Sequence, residues 1–320
     1  MRYIAMDVVG IGCLAVDYFA LLPSIPAADE KIMAEKYEIH PGGVAGNVMT
    51  QLARLDVRAG WFGKIGDDDA GTVILDDFEN EGIDASHVQV VEGEHSMFTW
   101  IQVNRQGERS ITMFPNVLVK LTADEVRQIH ADYIGSSRVM HAEACVLPLN
   151  PVVEAMQIAR ERGVRIVFDL DVSPSYFVEE AGLATPDEMS RAIELADVLI
   201  PCKRAARELI GSDDIVGNVH KLLDLGPKVV GVTLGSRGCV VCDRNGSVQV
   251  PSFPVDVVDT TGAGDAFHGG FIYGVLRDFD LEEIGRFANA CGALCCTRVG
   301  ARSMGRLSEV EHLLEGRAQG

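Results

Sequence analysis

The second half of this chain alternates two hydrophobic periods, and that alternation limits its fold more than any other feature. From about Val139 onward, short apolar runs rich in β-branched residues alternate with runs of helical period. Arg165–Leu170, Val198–Ile200, Val229–Thr233 and Cys239–Cys242 read as strands. Pro151–Arg162, Asp187–Leu195 and Val216–Leu225 read as helices, the first opened by proline and closed by Gly163. Two further helices, Ala263–Leu276 and Leu281–Cys296, follow near the C-terminus. A β-α-β-α-β-α-β order predicts a mostly parallel sheet with helices on both faces.

The first half is mixed. Val8–Val16 reads as one strand, Val44–Leu55 as a helix, Ala59–Phe62 as a short strand, and Ala70–Glu81 as a helix ended by Gly82. Segments 16–40 and 96–114 are strand-rich and poor in helix. Within the second, Phe98–Val103 and Arg109–Phe114 flank Asn104-Arg105-Gln106-Gly107, a hairpin signal. These two pieces are expected to pair as a small separate sheet. With no low-complexity linker and no repeats, residues 1–320 are read as one domain.

A chain of 320 residues that is 47% apolar can bury its own core without staples. Its 28 basic and 47 acidic residues leave a net charge of −19. That excludes a nucleic-acid binder, which needs clustered Lys and Arg on phosphates. It equally excludes a basic membrane-surface protein. No apolar run approaches the ~18 residues of a membrane span. The first apolar run is broken by Asp7 and Asp17 and lacks a basic start, so it reads as a strand rather than a signal peptide. The expected location is cytoplasmic. Cys239 and Cys242 form a C-x-x-C, but positions three apart on a strand face opposite ways, so they read as small core residues.

The 33 glycines exceed the usual share of about 7% and need local reasons. Gly10-Ile11-Gly12-Cys13-Leu14-Ala15 matches a dinucleotide fingerprint, which requires a helix opening at the glycines. Pro23 and Pro26 follow without a helical pattern, so that reading is set aside.

The most informative stretch is Val257-Val258-Asp259-Thr260-Thr261-Gly262-Ala263-Gly264-Asp265-Ala266-Phe267. Two glycines lead into a helix whose first-turn N–H groups and dipole form an anion site. Asp265 in that first turn is expected to be ionised. Spacing alone leaves two readings of it: an acidic residue that caps the turn, or a general base that takes a proton during phosphoryl transfer. A second cluster, Pro41-Gly42-Gly43-Val44-Ala45-Gly46-Asn47, opens another helix. It is either a tight strand-to-helix turn or a place where backbone amides approach a small polar ligand such as a sugar.

Together the clusters resemble the two signatures of the ribokinase-like (PfkB) family of carbohydrate kinases. The likeness extends to Gly12–Asp17, Gly63-Lys64-Ile65-Gly66-Asp67-Asp68, Thr233-Leu234-Gly235-Ser236-Arg237-Gly238, Arg286-Phe287-Ala288-Asn289 and Thr297-Arg298. The resemblance implies a three-layer α/β/α sandwich with a mostly parallel central sheet and a small β lid. It implies ATP-dependent phosphorylation of a sugar hydroxymethyl group, with Mg²⁺. By position, the sugar contacts would be Asp17, Gly42, Gly43, Asn47, Glu143 and Asp265. Asp265 would be the base, with Gly262, Ala263 and Gly264 as its anion hole. Thr233, Gly235 and Asn289 would lie on the nucleotide side. Asp259 and Thr261 match part of a monovalent cation (K⁺) site, with the backbone near Cys296 and Val299 as further ligands.

The sequence departs from the family at one point. Cys202 and Ala205 stand where most members carry the Asn and Glu of N-x-x-E, a motif tied to magnesium and phosphate. Mg²⁺ leans on substrate phosphates and water, so this loss need not abolish it. Lys203 either supplies charge there or is a solvated surface residue. Ketohexokinases and sulfofructose kinases also lack the motif, which favours a ketohexose acceptor. The rivals are a nucleoside kinase of the same family and a non-catalytic sugar- or nucleotide-binding regulator. The edge-exposed small sheet suggests a homodimer through the lid.

Overall fold

The computed structural model describes residues 5–316. In chain order its strands are β1 (Met6–Ile11), β2 (Ala15–Leu22), β3 (Lys36–Gly42), β4 (Ala59–Gly66), β5 (Asp84–Val91), β6 (Phe98–Asn104), β7 (Arg109–Phe114), β8 (Ser137–Ala144), β9 (Arg165–Leu170), β10 (Val198–Pro201), β11 (Val229–Thr233), β12 (Cys239–Asp243) and β13 (Gly246–Val250). Nine of them form one sheet in the order β13-β12-β11-β10-β9-β8-β1-β4-β5. It is parallel from β5 to β11 and antiparallel over the last two pairings. Central strands such as β8 and β9 are buried almost throughout, as a parallel sheet covered on both faces requires.

The second sheet has four strands in the order β3-β2-β6-β7. Its two halves come from distant parts of the chain and meet through the parallel pair β2–β6. Val8–Val16, expected as one strand, is divided between the sheets. The chain leaves β1 at Ile11, turns, and enters the small sheet as β2. The Cys13 amide fixes that turn by donating to Glu143 Oε2 at 2.5 Å.

Most helices match their sequence patterns, with conventional caps. Thr185 caps Pro186–Leu195 and Asp280 caps Leu281–Cys295, each in a reciprocal capping box. Val216–Leu225, expected as one helix, is instead a short turn of α-helix, Ile215–Asn218, running into 3-10 geometry over Val219–Leu225. The edge strands β5 and β13 and the Lys203–Ile210 helix go beyond the sequence reading. Two helices begin at a glycine in place of a capping side chain. Val44–Arg54 begins after Gly43 and Ala263–Leu276 after Gly262, and neither has a side-chain cap. These two helices pack against each other, which brings the two glycine turns to one end of the molecule. No helix among the described residues is long and apolar enough to cross a membrane.

Candidate active site

The site forms where the two glycine-started helices begin. Gly262 has φ 78°, and a Cβ there would press on the Ala301 backbone. Only glycine fits comfortably. Ala263 N–H is satisfied by Thr260 O at 3.2 Å and Ala266 N–H by Gly262 O at 2.9 Å. The amides of Gly264 and Asp265 between them find no carbonyl, so an anion can take them. Gly43 repeats the device at φ 85°, crowded by the backbone of Cys13, Leu14 and Ala15.

Asn47 and Asp265, expected in two separate motifs, meet directly. Asn47 Nδ2 donates to Asp265 Oδ2 at 2.6 Å, and Asn47 Oδ1 is buried without a partner. Asp265 is only partly open to solvent. Burial pushes its carboxyl up to about 7, against the Asn47 hydrogen bond and the His268 charge, which pull it down. The helix dipole therefore does not keep Asp265 fully ionised, as its position alone suggests; desolvation outweighs it.

Asp17 lies on β2 against Gly42 and accepts a hydrogen bond from Thr99 Oγ1 on β6. Burial raises its carboxyl, opposed by Thr99 and by the Arg302 charge. Glu143 is wholly buried on β8. Its Oε2 is spent on the Cys13 amide, and its Oε1 has no partner. Burial holds it well above the usual carboxylate range. In this geometry it supports the Gly12–Cys13 turn.

Behind the Gly262 turn lies a cavity of about 560 Å³, lined among others by Thr233, Gly235, Ala263, Gly264, Phe267 and Asn289. Gly264 of the anion site forms part of its wall and the lining is largely apolar, the profile of a small-molecule pocket. Asn289 does not offer its amide nitrogen there: Nδ2 donates to Val250 O at 3.0 Å and to Pro251 O at 3.2 Å. It shapes the wall.

Asp259 caps its own loop. It accepts from Thr261 N at 2.9 Å, Thr261 Oγ1 at 2.8 Å and Gly300 N at 2.9 Å. Burial opposes its ionisation, but these hydrogen bonds win and hold it below the usual range. The Cys296 carbonyl already accepts from Val258 N at 2.8 Å. A cation here would share groups that the loop uses. Among the described residues no three His, Cys, Asp or Glu side chains are grouped to hold a metal. Cys202 caps the Lys203–Ile210 helix through the Ala205 amide, and Lys203 is exposed. All eight cysteines are free thiols.

Sequence reasoning missed three groups around this site. His268 bonds to Asp169, which is fully buried on β9. His141 on β8 is buried beside the same carboxylate. Arg302 runs between Gly46 and Asp77, pairing with Asp77 at 2.9 Å. Only His268 carried a signal: it follows Asp265 by three residues and so shares its helix face.

A family model described as pfkB family carbohydrate kinase matches residues 6–306. The chain is 34% identical over 285 residues to an ATP-dependent ribose-1-phosphate kinase of Halopiger xanaduensis, covering 87% of this chain and 88% of that one. It is 30% identical over 323 residues to fructokinase-1 of Zea mays, covering 96% and 97%. A structure of Arabidopsis thaliana ribokinase complexed with ribose and ATP superposes with a TM-score of 0.86 at 23% identity, covering 98% and 99% of the two chains.

Proposed function

The chain belongs to the pfkB family of carbohydrate kinases, and on that premise we propose that it transfers the γ-phosphoryl group of MgATP to the hydroxymethyl group of a ketohexose. The observation that carries this reading is the 2.6 Å hydrogen bond from Asn47 to Asp265. It joins the polar corner of Asp17 and Asn47 to a helix N-terminus suited to phosphate, with a carboxylate between them.

In this reading Asp17 and Asn47 hold adjacent sugar hydroxyls, one accepting and one donating. Asp265 accepts the proton of the attacking hydroxyl. A base that titrates near 7 is well matched to that task. The Gly264 and Asp265 amides face the charge that builds on the transferring group. Thr233, Gly235 and Asn289 frame the nucleotide. Mg²⁺ enters with ATP, held by phosphates and water in place of an N-x-x-E carboxylate. The anionic Asp259, with Thr261, is the proposed neighbour of K⁺. Residues 1–320 act as one kinase domain, of which 1–4 and 317–320 lie outside the described residues. The four-stranded sheet acts as the lid and as the surface of a homodimer. ATP as donor and eight free thiols suit the cytoplasm.

The maize fructokinase supports the ketohexose. The Halopiger relative favours a second reading, a pentose 1-phosphate with a free hydroxymethyl group. MgATP turnover over fructose, other ketohexoses, ribose, ribose 1-phosphate and adenosine, in K⁺ and in Na⁺, separates these. The largest kcat/KM is expected for a ketohexose in K⁺. Tight sugar binding with no turnover on any acceptor would instead make the chain a regulator.

A further inference from the structure

We propose that His268, clamped by the buried Asp169 carboxylate, is a positioning residue for the base: its cationic ring lies one helical turn from Asp265 and offsets the carboxylates that crowd the floor of the site. The proposal rests on the reading of Asp265 as the base.

The geometry comes first. His268 Nδ1 bonds to Asp169 Oδ2, and both side chains are buried. His141 Nε2 lies 3.7 Å from the same oxygen, and neither ring nitrogen of His141 has a hydrogen-bond partner. Asp169 Oδ1 has none either. Asp169 stands opposite Glu143 in the β8–β9 register, so two carboxyl groups occupy neighbouring strand ends.

Charge balance then decides the protonation states. A fully buried carboxylate is tolerated only beside a cation or when neutral. Asp169 is held below the usual range: burial raises it, but the His268 charge and hydrogen bond, with His141 nearby, more than compensate. One of the two rings must therefore carry the proton. Burial lowers His141. For His268 burial acts the same way, but the Asp169 charge and hydrogen bond and the Asp265 and Asp171 charges raise it overall. The arrangement is neutral His141, anionic Asp169 and cationic His268.

Asp265 feels every neighbour of this floor. Asn47 reaches it from the Val44–Arg54 helix, Asp169 and Asp171 from β9 and the turn after it, and His268 from its own helix. The Cys295 thiol is close on the Leu281–Cys295 helix. Of the charged groups just named, His268 is the one that favours the ionised base. Without that ring, the Asn47 hydrogen bond would face desolvation and two carboxylates with no cation beside it, and Asp265 would be more fully protonated at neutral pH.

Nitrogen-15 NMR of the wild-type kinase reads the ring directly. It should remain protonated at pH 7, and a neutral His268 ring there overturns the proposal whatever the variants do. In His268→Gln the acid limb of kcat/KM should move up by about one pH unit. Activity at about pH 6 should fall roughly tenfold, with the sugar KM within about twofold of wild type. His268→Lys restores a cation and should return the limb to its wild-type position, which a purely structural role would not produce. A folded His268→Gln enzyme with an unmoved limb removes the positioning role. Asp265→Asn separates the two readings: full activity in that variant removes the base itself. Loss of activity there, beside an unmoved limb in His268→Gln, removes only His268.

Discussion

At the residue scale the decisive group is Asp265. Desolvation pushes its carboxyl up to about 7, so the proposed base is half protonated at neutral pH. If it must be ionised to accept the sugar proton, kcat/KM should fall about tenfold per unit below that value. Asp265→Asn should lower kcat by roughly 10²–10⁴-fold, about 3–5 kcal/mol of barrier. The same variant should be more stable than wild type at alkaline pH. A carboxyl whose folded pKa is raised costs stability above that pKa, here up to about 4 kcal/mol, and costs nothing below its unfolded pKa. Thermal melts of both proteins at pH 8 and pH 4 check this: the gap should be wide at the first and closed at the second. Asp265 and Asn47 were legible because each sits in a glycine turn that backbone geometry forces into the sequence. Asp169 was not. It meets His268 across 99 positions, and nothing local marks a strand aspartate that will be buried against a histidine.

At the element scale, an element was legible when its own pattern sufficed. The Ala263–Leu276 helix is buried on all sides from Ala266 onward, yet its glycine start announces it. The edge strands β5 and β13 lack a continuous apolar run, and only their neighbours make them strands. Edge strand β5 also carries a pH-sensitive cluster. His87 Nδ1 lies 3.1 Å from His130 Nδ1, and Gln89 Nε2 lies 2.8 Å from His130 Nε2. The Phe62 ring lies tilted against the His130 ring, 5.0 Å between centroids, with Lys64 and Glu125 nearby. Burial, then the His87 charge, lowers His130 to about 4. A histidine lowered in the fold stabilises above its unfolded pKa of about 6.5, and that stability is lost as pH falls toward 4. The full effect is roughly 3 kcal/mol. Asp265 works in the opposite sense over this window, so the informative comparison is between proteins. The stability of His130→Gln relative to wild type should rise as pH falls from 7 to 4, read by urea unfolding. Parallel profiles would show that His130 does not titrate with folding.

At the scale of the whole molecule, the alternating second half implied the large sheet, and two distant strand-rich segments implied the small one. What no local pattern conveys is how the small sheet's surfaces are covered. It has two open edges, β3 and β7, and its exposed side chains include Tyr37, Ile39, Trp100, Ile111 and Met113. The register places Met113 on the face that carries Asp17 and Thr99, with Ile111 two residues along. That face borders the proposed sugar site. Exposed strand edges and apolar side chains on one small sheet are a liability in a lone molecule. The net charge of −19 works against random association, so a partner must match in shape. A second copy of the same sheet would cover the Ile111 and Met113 face and close both sugar sites at once. Light scattering at micromolar protein should therefore give twice the chain mass. The double variant Ile111→Glu, Met113→Glu places four like charges in that interface and should scatter as a monomer. If the lid closes the sugar site only when paired, the variant should also show a raised sugar KM with little change in the ATP KM. A wild-type monomer at that concentration, or an unaltered dimer in the variant, would mean that this face is not the interface.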